Sequence, residues 1–315
     1  MTSYLVTGGA GFIGSHIAQN LLQKHHQVRI LDNFSTGNVE NLSGFQGKLE
    51  IIEGDLRTPA DVKRAVQNVE IIFHEAAFVS NPKSILEPKA CFDVNVTGTE
   101  NLLEEARKAG VKRIVFASSA AVYGDSDSLP LSEDTILRPL SPYAASKYVN
   151  EMYGSLYTHT YGMDVISLRY FNVFGPRQNP DSEYAAAIPI FICSLLSNQP
   201  ITIFGDGEQT RDLVYIQDVV QANLIAAEHP DAAGQVFNIC TGIETSMRIL
   251  VDTLRKLFPG SMDPKHTLPR TGDIYRSLGK PDKAREVLGF QPHTPLMQGL
   301  SQTVEWMRIC QQNPD

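Results

Sequence analysis

Residues 4–14, Tyr4-Leu5-Val6-Thr7-Gly8-Gly9-Ala10-Gly11-Phe12-Ile13-Gly14, pass from an apolar strand through spaced glycines into the start of a helical pattern. Gly8, Gly11 and Gly14 allow a tight turn and let backbone N–H groups approach a pyrophosphate at the positive end of a helix. Asp32 closes the next strand about 20 residues on, where a carboxylate can hold an adenosine ribose. A carboxylate there repels a 2′-phosphate, and Asn33-Phe34-Ser35 offers no arginine to neutralise one, so NAD is favoured over NADP. Gly54-Asp55-Leu56 ends the third strand. Asp55 there either meets the adenine amine or caps the helix after Pro59.

Outward from this stretch, short strand patterns at Tyr4–Thr7, Val28–Leu31, Leu49–Glu53, Ile71–His74, Arg113–Ala117 and Val165–Arg169 alternate with amphipathic segments. The helical segments are Ile13–Gln23, Asp61–Val66, Gly98–Lys108 and Ala144–Thr158. Repeated βαβ units predict an α/β fold, a Rossmann-type doubly wound parallel sheet with its ligand crevice at the carboxyl ends of the strands. After Tyr170 the rhythm breaks at the loop Gly175–Asp181. Residues 1–172 therefore read as the NAD-binding domain and 173–315 mainly as a smaller α/β substrate lobe, with segments near 211–240 returning to the first sheet. No linker separates the two.

A net charge of −8 over 315 residues, without a cluster of Lys and Arg, argues against a nucleic-acid or anionic-membrane partner. No leader-like or membrane-spanning run is read at the N-terminus, and the expected location is the cytoplasm. Cys91, Cys193, Cys240 and Cys310 are widely spaced and read as thiols of a reducing compartment. The eight histidines lack metal-ligand spacing, so no metal is expected.

Tyr143-Ala-Ala-Ser-Lys147 places a phenol and an ammonium on one helix face. A nearby cation favours the phenolate, so the pair can trade protons, whereas the same spacing also suits a packed ring and a snorkelling lysine.

Taken with the glycines, these segments resemble the extended short-chain dehydrogenase/reductases, and within them the UDP-hexose 4-epimerases, over nearly all of the chain. The matching segments are His74-Glu75-Ala76-Ala77, Asn95-Val96-Thr97-Gly98-Thr99, Ser118-Ser119-Ala120-Ala121-Val122-Tyr123-Gly124, Tyr143-x-x-x-Lys147 and Arg169-Tyr170-Phe171-Asn172. The resemblance implies that Tyr143 acts as base on the sugar 4-hydroxyl, that Ser119 hydrogen-bonds the same oxygen, and that Lys147 binds the nicotinamide ribose while lowering the tyrosine pKa. It implies NAD contacts from Gly8, Gly11, Phe12, Ile13, Gly14, Asp32, Asn33, Ser35, Gly37, Asp55, Leu56, Ala76, Ala77, Asn95, Tyr143, Lys147 and Tyr170.

For the substrate it implies a UDP-sugar contacted by Ser80, Ser119, Asn172, Ala186, Thr202, Phe204, Arg211, Arg270, Asp273 and Ser277. Arg211 and Arg270 would clamp the diphosphate, and Phe204 would stack on uracil. Ala120 and Ala121 stand where dehydratases carry an acid–base pair, so the transient 4-keto sugar can only be reduced again. Ser277 replaces a bulky tyrosine of epimerases restricted to glucose and galactose, which leaves room for an acetamido group. Ala120, in place of a serine of acetyl-specialised enzymes, departs from that pattern. The implied reaction is 4-epimerisation of UDP-hexoses, UDP-GlcNAc and UDP-GalNAc included. The alternatives are a UDP-glucuronate 4-epimerase, a 4-ketoreductase, or a non-catalytic NAD sensor. By analogy, the helices around 98–108 and 144–158 would pair two protomers in a homodimer.

Overall fold

The first strands are apolar on both faces, so the sheet they form has to be covered twice. In the computed structural model, which describes residues 2–179, 187–269 and 274–312, the first six strands are β1 (Ser3–Thr7), β2 (Gln27–Asp32), β3 (Lys48–Glu53), β4 (Ile71–His74), β5 (Arg113–Ser119) and β6 (Asp164–Tyr170). They are followed by β7 (Asn172–Phe174), β8 (Thr202–Phe204), β9 (Thr210–Tyr215), β10 (Val236–Ile239), β11 (Glu244–Ser246) and β12 (Lys265–Thr267). The helices of the first half are α1 (Phe12–Gln23), α2 (Pro59–Ala65), α3 (Asn81–Leu86), α4 (Pro88–Phe92), α5 (Gly98–Ala109) and α6 (Pro142–Tyr161). Those of the second are α7 (Ala187–Leu196), α8 (Ile216–Glu228), α9 (Met247–Lys256), α10 (Asp282–Leu288) and α11 (Leu296–Gln312).

Seven strands make one parallel sheet in the order β10-β6-β5-β4-β1-β2-β3. Winding runs one way from β1 to β3 and the other way from β4, which opens a crevice between the carboxyl ends of β1 and β4. Alternate residues feed opposite cores. Tyr4, Val6, Ile30, Phe73, Val115 and Ile166 join Ile17 of α1 and Val219 of α8 on one face. Leu5, Leu31, Ile72, Ile114, Phe116 and Val165 join Val62 of α2 and Leu102 of α5 on the other. Each such aliphatic or aromatic side chain stabilises the fold by about 1.5–3 kcal/mol when fully buried.

The second lobe is not a separate body. Phe174, Ile192, Ile203, Val214, Leu250 and Leu300 belong to the same core as Ile17 and Val219. Its short strands form a sheet of order β11-β9-β7 and a pair β12-β8. No helix among the described residues is long and apolar enough to cross a membrane.

Two boundaries differ from the sequence expectation in ways that matter. Helix α6 begins at Pro142 rather than Ala144, because the Ser141 hydroxyl accepts the Ala144 N–H at 3.1 Å and proline suits a first turn. Strand β5 runs on to Ser119, whose hydroxyl accepts the Ala121 N–H at 3.2 Å and so caps the 3-10 turn Ala120–Tyr123. Both extensions carry Tyr143 and Ser119 to the carboxyl end of the sheet.

Behind that edge lies a buried ion pair. Arg169 of β6 meets Glu151 of α6 at 2.9 and 2.7 Å, both side chains being 4% exposed. Arg169 also donates to the Tyr123 hydroxyl at 2.8 Å, which in turn donates to Asn238 of β10 at 2.6 Å. Ser118 donates to Glu151. Strands β5, β6 and β10, helix α6 and the 3-10 turn are thus tied at one point. Removing one charge strands the other in a dry interior, so Arg169→Met is expected to destabilise the protein by about 3–5 kcal/mol. Urea unfolding checks this, and adding Glu151→Leu to that variant should restore much of the loss.

Candidate active site

The crevice is built on glycine. Gly8 has φ +67, and a β-carbon on it would lie 2.6 Å from the Ala76 amide nitrogen. One on Gly14 would lie 2.3 Å from the Gly8 carbonyl oxygen. Strand end, turn and helix therefore approach more closely than side chains permit, and Gly11 leaves the first turn of α1 without a side-chain cap. Asp32 accepts the Ala10 N–H and the Phe34 N–H, each at 2.9 Å, which aims its carboxylate across the turn. A β-carbon on Gly37 would press on both Asp32 oxygens at 3.0 Å. The donor set and the narrow cradle fit a dinucleotide.

Asp55 does not cap the helix that follows it. Its carboxylate takes Arg57 through Nε at 2.9 Å and a terminal nitrogen at 2.7 Å, and accepts the Asn33 amide at 2.8 Å. Those bonds hold its carboxyl well below the usual carboxylate range. The cap reading fails, because α2 begins at Pro59 with Thr58 in the cap position.

The proposed catalytic side chains do converge. The Ser119 hydroxyl lies close enough to the Tyr143 phenol to favour its ionised form, and the Lys147 ammonium sits 5.9 Å from the centre of the Tyr143 ring. Lys147 is 4% exposed and donates to the Ala117 carbonyl at 2.7 Å. The lowering of the tyrosine pKa expected from Lys147 does not prevail. Burial pushes the phenol up to about 12; the Ser119 bond opposes this, and Cys91 and Glu75 add to it. Taking a phenolate out of water outweighs a cation whose head group is turned to a carbonyl. Burial likewise pushes Lys147 down, against Glu75, Cys91 and Glu151.

Other predicted residues brace the site. Asn95 accepts the Phe78 N–H at 2.7 Å and donates to the Phe78 carbonyl at 3.1 Å and to Ser146 at 2.8 Å. Ser146 donates to the Tyr143 carbonyl at 2.7 Å, so the Asn95 side chain ties the stretch after β4 to the first turn of α6. The Ser80 hydroxyl caps α3, accepting the Lys83 N–H at 3.1 Å. Ser84 of α3 accepts the Tyr143 N–H at 3.2 Å, which fixes the first turn of α6. Tyr170 points its hydroxyl at Glu75, 2.9 Å away, and Glu75 is a site acid that the reading of residues 74–77 as a small-residue turn passed over.

In the second lobe, Thr202 is exposed and Phe204 half-buried on one face of β8, opposite buried Ile203. Gln209 donates to the Phe204 carbonyl at 2.7 Å, and Arg211 donates to the Thr210 carbonyl at 2.8 Å. Ser277 is brought beside Arg211 by its N–H bond to the Thr210 carbonyl at 3.2 Å. Asn172 is exposed at the start of β7. Ala186, Arg270 and Asp273 lie outside the described residues. No group of three or more His, Cys, Asp or Glu able to hold a metal occurs among the described residues.

Residues 4–240 match the profile of the NAD dependent epimerase/dehydratase family. A UDP-glucose 4-epimerase of Mycolicibacterium smegmatis is 42% identical over 309 residues, covering 96% of this chain and 98% of its own length. The solved UDP-N-acetylglucosamine 4-epimerase from Methanobrevibacter ruminantium, in complex with UDP-N-acetylmuramic acid, is 36% identical with a TM-score of 0.94, covering 98% of both chains. The UDP-glucose 4-epimerase of Thermotoga maritima with UDP-glucose is 38% identical with a TM-score of 0.93, covering 98% of this chain and 100% of that one.

Beneath the site His74 is buried and neutral. Thr99 gives its own proton to the Asn95 carbonyl at 2.6 Å, so it accepts from His74 Nε2 at 2.9 Å, and Thr7 donates to Nδ1 at 2.7 Å. Burial lowers His74 to about 3, and it lowers His16, bonded to the Pro176 carbonyl, to about 4. Unfolding lets both take a proton below about pH 6.5, so the unfolded state binds more protons and stability falls as pH drops from there. His74→Gln should flatten that slope by about 1.4 kcal/mol per pH unit, checked by urea unfolding over a pH series.

Proposed function

The chain belongs to the NAD dependent epimerase/dehydratase family, and we propose that it catalyses 4-epimerisation of UDP-hexoses, accepting UDP-GlcNAc and UDP-GalNAc as well as UDP-glucose and UDP-galactose. The observation that carries this is a phenol that gathers Ser119 and Lys147 about it beside a glycine-lined crevice. Asp32 would hold the adenosine ribose, the first turn of α1 the pyrophosphate, and Lys147 the nicotinamide ribose. When bound, NAD supplies the acceptor and donor of hydride at sugar C4, and its oxidised ring brings a positive charge that favours the phenolate.

Tyr143 takes the proton of the 4-hydroxyl and later returns it. Ser119 can donate to the same oxygen because its lone pair already receives the Ala121 N–H. Ala120 and Ala121, which follow in the 3-10 turn, offer no acid or base to eliminate water from a 4-keto sugar. Inversion then requires anchoring on the nucleotide, through Arg211, Arg270 and stacking on Phe204, with little grip on the hexose. The small side chain of Ser277 beside Arg211 supports room for an acetamido group, and the likeness to a UDP-N-acetylglucosamine 4-epimerase supports the same reading.

Exposed Met152, Tyr153 and Leu156 on α6, at 48, 39 and 51%, support a homodimer formed through α5 and α6. Light scattering on the eluting protein should give twice the chain mass, and Leu156→Glu should shift it to the monomer.

The direct test is a panel of UDP-sugars with products separated by chromatography. Interconversion without net change in nicotinamide absorbance is expected, and Tyr143→Phe should lower kcat about 10²–10⁴-fold. Ser277→Tyr should lose the acetylated pair and keep glucose and galactose. A wild type inert on every UDP-hexose would sink the reading, and one inert only on acetylated sugars would sink the pocket argument.

A further inference from the structure

Strand β9 carries a carboxylate that the proposed chemistry leaves unused. Asp212 is fully buried, as is Val214 on the same face, while Arg211 and Leu213 project from the other. Four neutral donors meet it. One oxygen takes the Thr241 N–H at 2.8 Å and the Thr241 hydroxyl at 2.7 Å, and the other takes the Gly242 N–H at 2.9 Å and the Gly279 N–H at 3.3 Å. Those donors replace the water that burial removes and suit the ionised, acceptor-only form.

The donors come from two places, the turn between β10 and β11 and the strap of residues 275–280. The strap lies along the start of β9, where the Thr210 N–H donates to the Tyr275 carbonyl at 2.9 Å and the Ser277 N–H donates to the Thr210 carbonyl at 3.2 Å. Its other edge is held by Leu131, whose N–H donates to the Leu278 carbonyl and whose carbonyl accepts the Lys280 N–H, both at 2.8 Å. A β-carbon on Gly279 would lie 2.6 Å from the Cys240 sulfur and 2.7 Å from the Phe171 ring, so a side chain there would push the strap off the carboxylate.

Three residues proposed to meet the UDP-sugar border this anchor. Arg211 precedes Asp212, Ser277 stands just before the Gly279 contact, and Asn172 follows Phe171 and pairs with Leu213 of β9. We propose that Asp212 is a positioning residue of the UDP-sugar site, the common anchor that keeps Ser277 in register with Arg211. It rests on the reading of Arg211 and Ser277 as substrate contacts.

Asparagine at 212 keeps the shape but has one acceptor oxygen, and its amide would face two N–H donors. The strap would then leave its register part of the time, and apparent affinity falls with the fraction of time it is in place. In the test, UDP and NAD are titrated separately into the full chain by calorimetry, and backbone amide exchange is followed by mass spectrometry. In Asp212→Asn, UDP should bind about tenfold more weakly, NAD as tightly as in the wild type, and exchange should quicken first at 241–243 and 275–280. If Asp212→Asn does not fold, Thr241→Val decides by the same readouts, with a smaller loss because it removes a single donor. Equal weakening of UDP and NAD would make the carboxylate a general brace, and unmoved UDP affinity would make the anchor irrelevant to the site; either overturns the proposal. A wild type that binds no UDP sinks the functional reading and the proposal with it, a result distinct from a variant that matches a UDP-binding wild type.

Discussion

A β-carbon on Gly8 would stand 2.6 Å from the Ala76 amide, and that near-contact of two backbones is the constraint on which the site depends. It holds the carboxyl ends of β1 and β4 together at the point where the winding of the sheet reverses. Because the turn is tight, Ala10 can reach Asp32 from one side and Thr7 can reach Glu75, Ala76 and His74 from the other. The glycine cradle and the floor beneath Tyr143 are therefore two sides of one turn.

Dehydration governs the chemistry that this floor can hold. Lys147, Arg169, Glu151 and His74 are all nearly inaccessible, and each answers burial differently. Arg169 and Glu151 stay charged by meeting each other. His74 surrenders its charge and is held neutral between two threonines. Lys147 has a carbonyl and a distant acid, an intermediate solution that leaves its charge adjustable. Tyr143 is likewise left protonated by the protein alone, which suits the proton exchange proposed for it.

Much of this was legible in the chain. The glycine spacing, Asp32 and the alternation of strands and helices led to the parallel sheet, since a βαβ unit imposes its own periodicities on local sequence. Tyr143 and Lys147 share a helix face by spacing, and Ser119 was placed by the resemblance of residues 118–124 to the family's serine segment. The short strands β7, β9, β11 and β12 were not legible, because three to six residues without a clear period carry no local signal. Glu75 looked like one residue of a turn, and the bond between Arg57 and Asp55 left no mark in the sequence.

The division has a physical cause. Sequence by itself determined what depends on neighbours along the chain: the fold class, the tight glycine turn, the facing of Tyr143 and Lys147, and the residue types available to the site. Tertiary structure alone decided what depends on water and on partners far away in the chain. Glu75 meets Tyr170 across 95 positions and Tyr170 meets Asn223 across 53. The sign of the shift at Tyr143 was settled by the depth at which the phenol is buried, because the free energy of a charge in a protein is set by how much water it has lost and what has replaced it.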